Sequence, residues 1–278
     1  MSASAPFDYE AALWGEDDVH PQARSIAAFR IQEALQWLPH TGHVLEVGCG
    51  AGRMLRALHE ARPGLRLCGA DVSRAALARA RARSADLELR LVEAPDASLP
   101  AADGEFDAVL LLDVLEHVSD PGAFLAETKR VMRGGGVLHL HVPCEGDALS
   151  LWRWLPGQRG PQSLKQRLAG HVQRFRRRDI LALLREAGFT PLRVRHSLHV
   201  LGNLADVGAF AALAARSRSN GRRVTTGDLL AGTPDASGRA SGGASRIVRA
   251  VDAALFFEAR LLGRIPSWGL HVSARAGG

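Results

Sequence analysis

The sequence predicts an α/β fold with a doubly wound, mostly parallel sheet. Apolar runs that suit buried strands alternate with helical patterns between residues 43 and 200. This alternation is typical of a parallel sheet with helices on both faces, whose ligand lies at the carboxyl ends of the strands. The first five predicted strands are at about 43–47, 65–70, 87–92, 108–112 and 137–142.

A glycine-rich loop follows the first predicted strand. Gly48, Gly50 and Gly52 precede a helical pattern at about 52–62. Glycine lets a ligand approach the backbone closely, and a helix start offers unpaired N–H groups. A dinucleotide loop reads G-x-G-x-x-G, whereas this one reads G-x-G-x-G, and the carboxylate of Glu46 would repel a pyrophosphate. The loop therefore favours a ligand with cationic groups and argues against a nicotinamide-dependent oxidoreductase or epimerase.

Two segments carry a family resemblance. The stretch from Glu46 to Gly52, with Cys49 inside it, resembles motif I of the class I S-adenosylmethionine-dependent methyltransferases. The Leu-Glu-His-Val segment around His117, followed by Asp-Pro, resembles the ubiquinone/menaquinone-biosynthesis-like branch of that family. The resemblance covers roughly residues 40–200. It implies a seven-stranded Rossmann-like sheet, an enzyme that transfers methyl groups, and S-adenosyl-L-methionine as the cofactor.

Residues at strand ends are the remaining cofactor candidates. Asp71 lies about twenty residues beyond the glycine loop, the spacing at which a carboxylate binds ribose hydroxyls, and Val72 follows it. In the resembled family an acid in the loop after the third strand meets the adenine amino group, which implies Asp96 and the amide of Ala97. Asp113 follows the fourth strand. Because all these positions lie at strand carboxyl ends, they agree with one site.

Two histidines are candidates for catalysis. Methyl transfer from a sulfonium mainly requires orientation and desolvation, and a general base helps where the acceptor is a hydroxyl. His117 follows the fourth strand, and His171 lies in an inserted segment. Each also fits a purely structural histidine. The sequence shows no metal-binding cluster, so we expect no metal in the reaction.

Segments outside the core are predicted to close over the site. Tyr9, Trp14 and Trp152 are candidate substrate contacts, although Trp152 and its neighbours also fit ordinary packing against the sheet edge. The helical insertion at 201–262 has three possible roles: it packs on the sheet, it admits a hydrophobic acceptor, or it forms a dimer face. The expected divisions are an N-terminal helical lid (1–42), a core (43–200) with a cap insertion (145–172), a helical insertion (201–262) with a mobile linker (217–245), and a closing strand (263–278).

Composition limits the partners and the compartment. The net charge is +6, and lysine occurs only at Lys129 and Lys165, which indicates a codon bias towards arginine more than a nucleic-acid surface. No basic motif with interleaved aromatic residues is present, so we expect no nucleic-acid partner. Three separated cysteines and the lack of a signal peptide or an apolar span favour the cytoplasm.

The leading functional hypothesis is small-molecule biosynthesis by methyl transfer, most simply O-methylation of a small hydrophobic acceptor. Methylation at carbon or nitrogen is the first alternative. A non-catalytic cofactor-binding or lipid-associated protein is the second. The acceptor is expected to be a small or lipid-like molecule, and the protein a monomer or homodimer. Peripheral membrane contact is left open, since arginines flank the apolar insertion.

Overall fold

A computed structural model describes residues 7–11, 14–15, 17–93, 96–158, 163–220 and 242–277. The sheet confirms the predicted fold class, because five strands are mutually parallel before the final antiparallel pairings. The strands are β1 (Gly42–Val47), β2 (Leu65–Asp71), β3 (Glu88–Leu91), β4 (Phe106–Leu112), β5 (Met132–Pro143), β6 (Phe189–Ser197) and β7 (Gly269–Ala276). Their order across the sheet is β3-β2-β1-β4-β5-β7-β6, with β7 antiparallel to both of its neighbours.

Helices cover both faces of this sheet. They are α1 (Ile26–Leu35), α2 (Arg53–Ala61), α3 (Arg74–Arg83), α4 (Pro121–Val131), α5 (Leu164–Ala169), α6 (Arg177–Glu186), α7 (Val200–Asn220) and α8 (Gly242–Leu262). Local chemistry sets several helix starts. The side chain of Ser73 accepts a hydrogen bond from the Ala76 amide at the start of α3, and Asp120 caps α4 just before Pro121.

The core of the described residues forms three apolar layers and a small cluster of Phe29, Phe256 and Ala259, which joins α1 to α8. One layer packs α4 and α6 on the sheet through Phe124, Ile180 and Leu184. A second packs α1, α2 and α3 on the opposite face. A third joins the cap insertion to α7 around Trp152, Phe210 and Trp268. At roughly 25 cal/mol for each Å² of apolar surface removed from water, these layers hold the insertions firmly to the sheet.

Strand β5 begins earlier than the strand predicted at about 137–142. It includes residues 133–136, where Gly135 has a φ of +77° and the register against β4 shifts. Glycine tolerates this conformation, so the chain passes directly from α4 into the strand. The expected N-terminal lid is helical only over α1, and residues 7–25 form turns and irregular chain where described.

The expected mobile linker 217–245 is also different at its ends. Helix α7 continues to Asn220 and α8 begins at Gly242, while residues 221–241 lie outside the described residues. In the part of the chain that the structure describes, no helix combines the length and apolar character needed to cross a membrane.

Candidate active site

The glycine loop after β1 forms a tight cradle. Gly48, Gly50 and Gly52 have φ values of +73°, +53° and +81°, a region that side chains with a Cβ rarely adopt. A Cβ on Gly50 would lie 2.6 Å from the carbonyl oxygen of Trp14. The loop therefore needs glycine both for its own conformation and for the close approach of another chain segment.

A cavity of about 410 Å³ opens at the carboxyl ends of the parallel strands. Its size suits a small-molecule ligand. Most of the predicted cofactor residues line it: Glu46, Gly48, Cys49, Gly50, Asp71, Val72 and Asp113. Gly52 does not, because it caps α2 and faces Ala80 of α3. The structure thus brings separate strand ends to one site, as the sequence predicted.

Asp71 lies in the half of the cavity that the glycine loop lines, called here the cofactor half because the predicted cofactor residues line it. Its Oδ2 accepts a hydrogen bond from the Gly50 amide at 2.7 Å, and its Oδ1 accepts one from the Ser73 amide at 2.9 Å. Burial raises the pKa of this carboxyl despite these bonds. Because each carboxylate oxygen has a second lone pair, the group can still accept hydrogen bonds from a ligand's hydroxyls.

Asp96 and Ala97 are not among the residues that line the cavity. Asp96 is exposed, and its Oδ1 accepts a hydrogen bond from the Ser119 amide at 2.7 Å, which holds the turn before α4. The predicted adenine contact therefore gains no support from the cavity. A carboxylate in a loop serves a backbone amide as readily as a ligand, and the sequence alone does not distinguish the two.

The side chain of Glu46 bears on whether the cavity fits the predicted cofactor. This side chain is buried, and within the described residues its Oε2 has no hydrogen-bond partner. Burial and the nearby Asp71 raise its pKa well above the usual value. An unpartnered buried carboxyl oxygen beside a glycine cradle suits a cationic ligand group, such as the ammonium or sulfonium of S-adenosylmethionine.

The side chain of Asp113 connects α1 to β5 at the cavity. Its backbone has a φ of +57°, which is unusual for a residue with a side chain, and Arg30 donates to its Oδ2 at 2.5 Å. Its Oδ1 lies 2.7 Å from Nδ1 of His141. Burial opposes ionisation, but Arg30 and His141 hold the pKa of Asp113 well below its ordinary range. Burial also lowers the pKa of His141, so Asp113 is charged and His141 neutral.

The second half of the cavity is built by the insertions. Lys165 of α5 and Asp206 and Phe210 of α7 line it together with His171. The Lys165 Nζ lies 2.9 Å from an Asp206 carboxylate oxygen and 3.6 Å from one of Glu145. Nδ1 of His171 lies 2.8 Å from the same oxygen of Glu145. Against the cost of burial, His171 and Lys165 lower the pKa of Glu145.

Aromatic rings surround the Lys165 ammonium. Its Nζ lies 4.0 Å from the ring centre of Phe210, 5.1 Å from that of Trp152 and 5.5 Å from that of Trp268. Trp152 itself does not line the cavity, because it is fully buried and its Nε1 donates to Asp206 at 2.6 Å. The predicted substrate contact of Trp152 is therefore replaced by a supporting role behind Lys165 and Asp206.

Both predicted catalytic histidines line the cavity, and their rings meet edge to face with centres 5.0 Å apart. Burial lowers the pKa of His117 to about 3, so it is neutral at physiological pH. Nδ1 of His117 lies 3.3 Å from the Tyr9 hydroxyl and 3.3 Å from the Gly170 carbonyl oxygen. These contacts fix the ring of His117. Of the two predicted catalytic histidines, His171 is the one that contacts a carboxylate.

Glu116, which the sequence analysis did not single out, completes this corner of the cavity. It is buried, and neither of its carboxyl oxygens has a hydrogen-bond partner among the described residues. Burial raises its pKa well above the usual value. Ligand atoms of Glu116, His117 and His171 all lie within 4.8 Å of one another, a grouping that could hold a metal ion. The sequence did not reveal this grouping, because two separate segments form it, and the expectation of a reaction without a metal stays a prediction.

The segment before α1 lies across the cavity. Tyr9 and Trp14, the two predicted contacts of this segment, both line it. The Trp14 carbonyl accepts a hydrogen bond from the Ala51 amide at 2.8 Å in the glycine loop. The carboxylate of Glu10 accepts hydrogen bonds from the Arg74 and Ala75 amides at the start of α3. The described residues of this segment, 7–11 and 14–15, therefore contact the glycine loop and, through Tyr9, the histidine His117 in the other half of the cavity.

A methyltransferase-domain family model matches residues 20–194, more than half of the chain. The chain belongs to this methyltransferase family. That match confirms the predicted family, the enzyme class and, with them, S-adenosylmethionine as the cofactor. The matched span runs from the residues before α1 into β6, so it includes the glycine loop, Asp71 and Asp113, but not α7 or α8.

Curated relatives match over part of their length. The chain is 36% identical over 97 residues to a ubiquinone biosynthesis O-methyltransferase of Dinoroseobacter shibae, which is 34% of this chain and 38% of the relative. It is 36% identical over 108 residues to a demethylmenaquinone methyltransferase of Thermus thermophilus, which is 37% of this chain and 49% of the relative. The chain thus spans less than half of either relative.

Solved structures show the same fold. One is the phosphoethanolamine N-methyltransferase 2 of Haemonchus contortus in complex with S-adenosyl-L-methionine. Its TM-score is 0.55 at 15% identity, over 90% of this chain and 52% of that chain. At this identity the likeness supports the fold of the chain alone.

Several site residues were missed by the sequence analysis: Arg30, Arg53, Glu116, His141, Glu145, Lys165, Asp206 and Phe210. One of these residues could have been identified from the sequence. Lys165 is one of only two lysines in a chain whose other basic residues are arginines. A lysine in such a background suggests a position where an ammonium serves better than a guanidinium, and here it is buried among three aromatic rings.

Proposed function

We propose that this chain transfers a methyl group from S-adenosylmethionine to an oxygen of a small, partly apolar acceptor. The proposal is carried by one observation: His171, held by the buried carboxylate of Glu145, lines the same cavity as the glycine loop and Asp71. One half of the cavity suits the cofactor, and the other offers a base. The names of the two curated relatives support an acceptor of the quinone-precursor type.

The cofactor, when bound, supplies an activated methyl group on a sulfonium. Glu46 would hold the ammonium group of the cofactor, and Asp71 would hold its ribose hydroxyls. The glycine loop would contact the cofactor through its backbone. Because Nδ1 of His171 contacts Glu145, the other ring nitrogen would be the one to accept a proton from an acceptor hydroxyl. The described residues 7–11 and 14–15, which lie across the cavity, would exclude water during transfer.

The insertions would select the acceptor. Lys165, Asp206 and Phe210 come from α5 and α7, and a core methyltransferase sheet does not require these helices. The Phe210 ring offers an apolar surface, and the paired charges of Lys165 and Asp206 offer polar groups. These features favour an acceptor that combines an apolar body with a polar group.

Methylation at carbon is the second candidate, and the name of the Thermus thermophilus relative favours it. The same base would serve a hydroxylated ring that is methylated at carbon, so the residues do not separate the two outcomes. The analysis of the product does: an O-methyl and a C-methyl group differ in their carbon chemical shift and in their stability to ether cleavage.

Calorimetry followed by turnover with methyl-labelled cofactor tests the proposal. S-adenosylmethionine or S-adenosylhomocysteine should bind, and NAD should not. Asp71→Asn should weaken binding by about 1.5–3 kcal/mol, the range for hydrogen bonds to a charged group. Asp96→Asn is the matched control, because this acid does not line the cavity. Equal losses in both variants would remove Asp71 from the cofactor site.

Turnover is then measured with phenols, catechols and hydroxyquinones, with and without a chelator. Transfer to oxygen supports the leading proposal, and transfer only to carbon replaces it with the second. Loss of turnover with the chelator would assign a metal to the cluster of Glu116, His117 and His171. Cofactor binding without transfer to any of these acceptors would leave the acceptor class proposed here without support.

A further inference from the structure

A second concave surface lies apart from the cavity, where α1, β6 and α8 meet. Four arginines line this groove, Arg193 and Arg195 from β6 and Arg260 and Arg264 from α8 and the turn after it. Glu33 of α1 is the carboxylate among its lining residues. This surface contains none of the residues placed in the methyl-transfer site.

The charges in the groove do not balance within the described residues. Glu33 is buried and lies 3.5 Å from Nε of Arg193 and 3.7 Å from Nε of Arg195. One carboxylate therefore faces four guanidinium groups. Burial lowers the pKa of Arg195, and the neighbouring arginines add to this effect while Glu33 opposes it. The repulsion among these cations destabilises the folded chain, and a bound anion would reduce this repulsion.

Hydrogen-bonding groups in the groove are also unsatisfied. Nε of Arg193 and Nε of Arg195 are buried and have no hydrogen-bond partner in the described part of the chain. Their separations from Glu33 exceed the usual hydrogen-bond distance. Buried donors without partners are costly, and planar guanidinium forks match the oxygens of phosphate groups well.

Other arginines of this chain are paired differently. Arg130 contacts both Glu127 and Asp103, and Arg90 contacts both Glu88 and Glu105. In those places carboxylates are at least as numerous as guanidiniums, so a bias towards arginine alone does not produce the imbalance around Glu33. We propose that the groove binds the phosphate group of an anionic ligand.

Two sources of that phosphate are consistent with the chemistry of the groove. Leu261 lines it and is 78% exposed, and Ile265 beside it is 55% exposed. Apolar side chains next to a basic groove suit the headgroup region of an anionic lipid. The same four arginines suit a free phosphate or pyrophosphate compound equally well.

Calorimetry of the full chain with inorganic phosphate and with pyrophosphate, at matched ionic strength, tests the site. The variant R260Q/R264Q alters two exposed side chains, so the fold should be retained, as thermal melting would verify. It should weaken binding at least tenfold. The matched control R178Q/R185Q removes the same net charge from exposed arginines of α6 and should change binding less than twofold.

Sedimentation with phosphatidylcholine vesicles, with and without phosphatidylglycerol, distinguishes the sources. Binding to the anionic vesicles that R260Q/R264Q loses, and the control keeps, identifies a lipid headgroup. Binding of soluble phosphate alone identifies a free ligand. The proposal is overturned if neither phosphate nor anionic vesicles bind, or if the α6 control loses as much affinity as R260Q/R264Q. Both readouts are independent of methyl transfer.

Discussion

Two histidines of the cavity share one arrangement. Arg30 contacts Asp113, which contacts His141, and Lys165 contacts Glu145, which contacts His171. In each set a partly or fully buried cation keeps the carboxylate charged despite burial. The charged carboxylate then fixes which ring nitrogen of the histidine carries the proton. The difference lies in position: His141 belongs to β5, whereas His171 lies in the cap insertion beside the acceptor half.

At this scale we predict that His171→Gln lowers kcat by about 10²- to 10⁴-fold, the usual contribution of a general base. Cofactor affinity should not change, because the glycine loop and Asp71 remain intact. Glu145→Gln should lower kcat less and leave the KM for the acceptor similar, since it acts through the ring of His171. Steady-state kinetics with the best acceptor would measure both.

His59→Gln is the control for these variants, because this histidine of α2 does not line the cavity. Circular dichroism should show that each variant is folded. If His171→Gln turns over as fast as the wild type, the base is another group, and the cavity's O-methylation chemistry would have to rely on an acceptor that is already ionised.

Among the elements, the irregular segment before α1 bonds to three separate parts of the structure around the cavity. It bonds to the glycine loop through Trp14, to the start of α3 through Glu10 and to His117 through Tyr9. Phe7 stacks on Trp14 and packs against Gly170 of the cap insertion. These contacts join the two halves of the cavity, which is the geometry expected of a lid.

We predict that deleting residues 1–15 leaves the sheet folded, with a melting temperature lowered by the loss of the contacts to the glycine loop and α3, and reduces turnover at least tenfold, because water would reach the reacting groups. The deletion retains Asp18, which forms ion pairs with Arg56 and Arg83 and would otherwise confuse the comparison. Thermal melting and steady-state kinetics test this. Glu10→Gln should produce a milder form of the same defect, and full activity of the deletion would exclude a lid.

Across the whole molecule, buried histidines tie stability to pH. His139, His141 and His271 lie together on one sheet face beneath α1, and burial lowers the pKa of each. For His139 the pKa falls to about 3. The unfolded chain takes up protons near pH 6.5, but the folded chain does not, so the unfolded state binds more protons below that pH. Stability is therefore full above about pH 6.5 and falls as the pH drops towards 3.

We predict that the free energy of unfolding decreases between about pH 7.5 and about pH 5, by up to about 2 kcal/mol for each such histidine. His139→Gln should reduce this decrease, because glutamine does not titrate. Urea unfolding at the two pH values measures both quantities. A wild-type stability that stays constant, or an equal decrease in the variant, would show that these histidines do not carry the linkage.

Much of the fold and half of the site could be predicted from the sequence. Strand–helix alternation predicted β1 to β4 to within two residues at each end and β5 without its first five residues, and the glycine loop and Asp71 line one cavity as predicted, while their binding of the cofactor stays a prediction. These features are local, because a tight turn needs glycine and a strand end places its next side chain at the sheet edge. The resemblance of the segment around His117 added the family.

Tertiary structure alone decided the acceptor half of the site and the arginine groove. Glu145 and Lys165 come from the two ends of the cap insertion and Asp206 comes from α7, and the packing of Trp152, Phe210 and Trp268 joins these two segments. Likewise, Asp96 and Trp152 resembled ligand contacts in the sequence but bond to an amide and to Asp206. The sequence by itself determined the local backbone and the cofactor cradle. Which polar groups face a cavity depended on burial and long-range contacts, which local patterns do not encode.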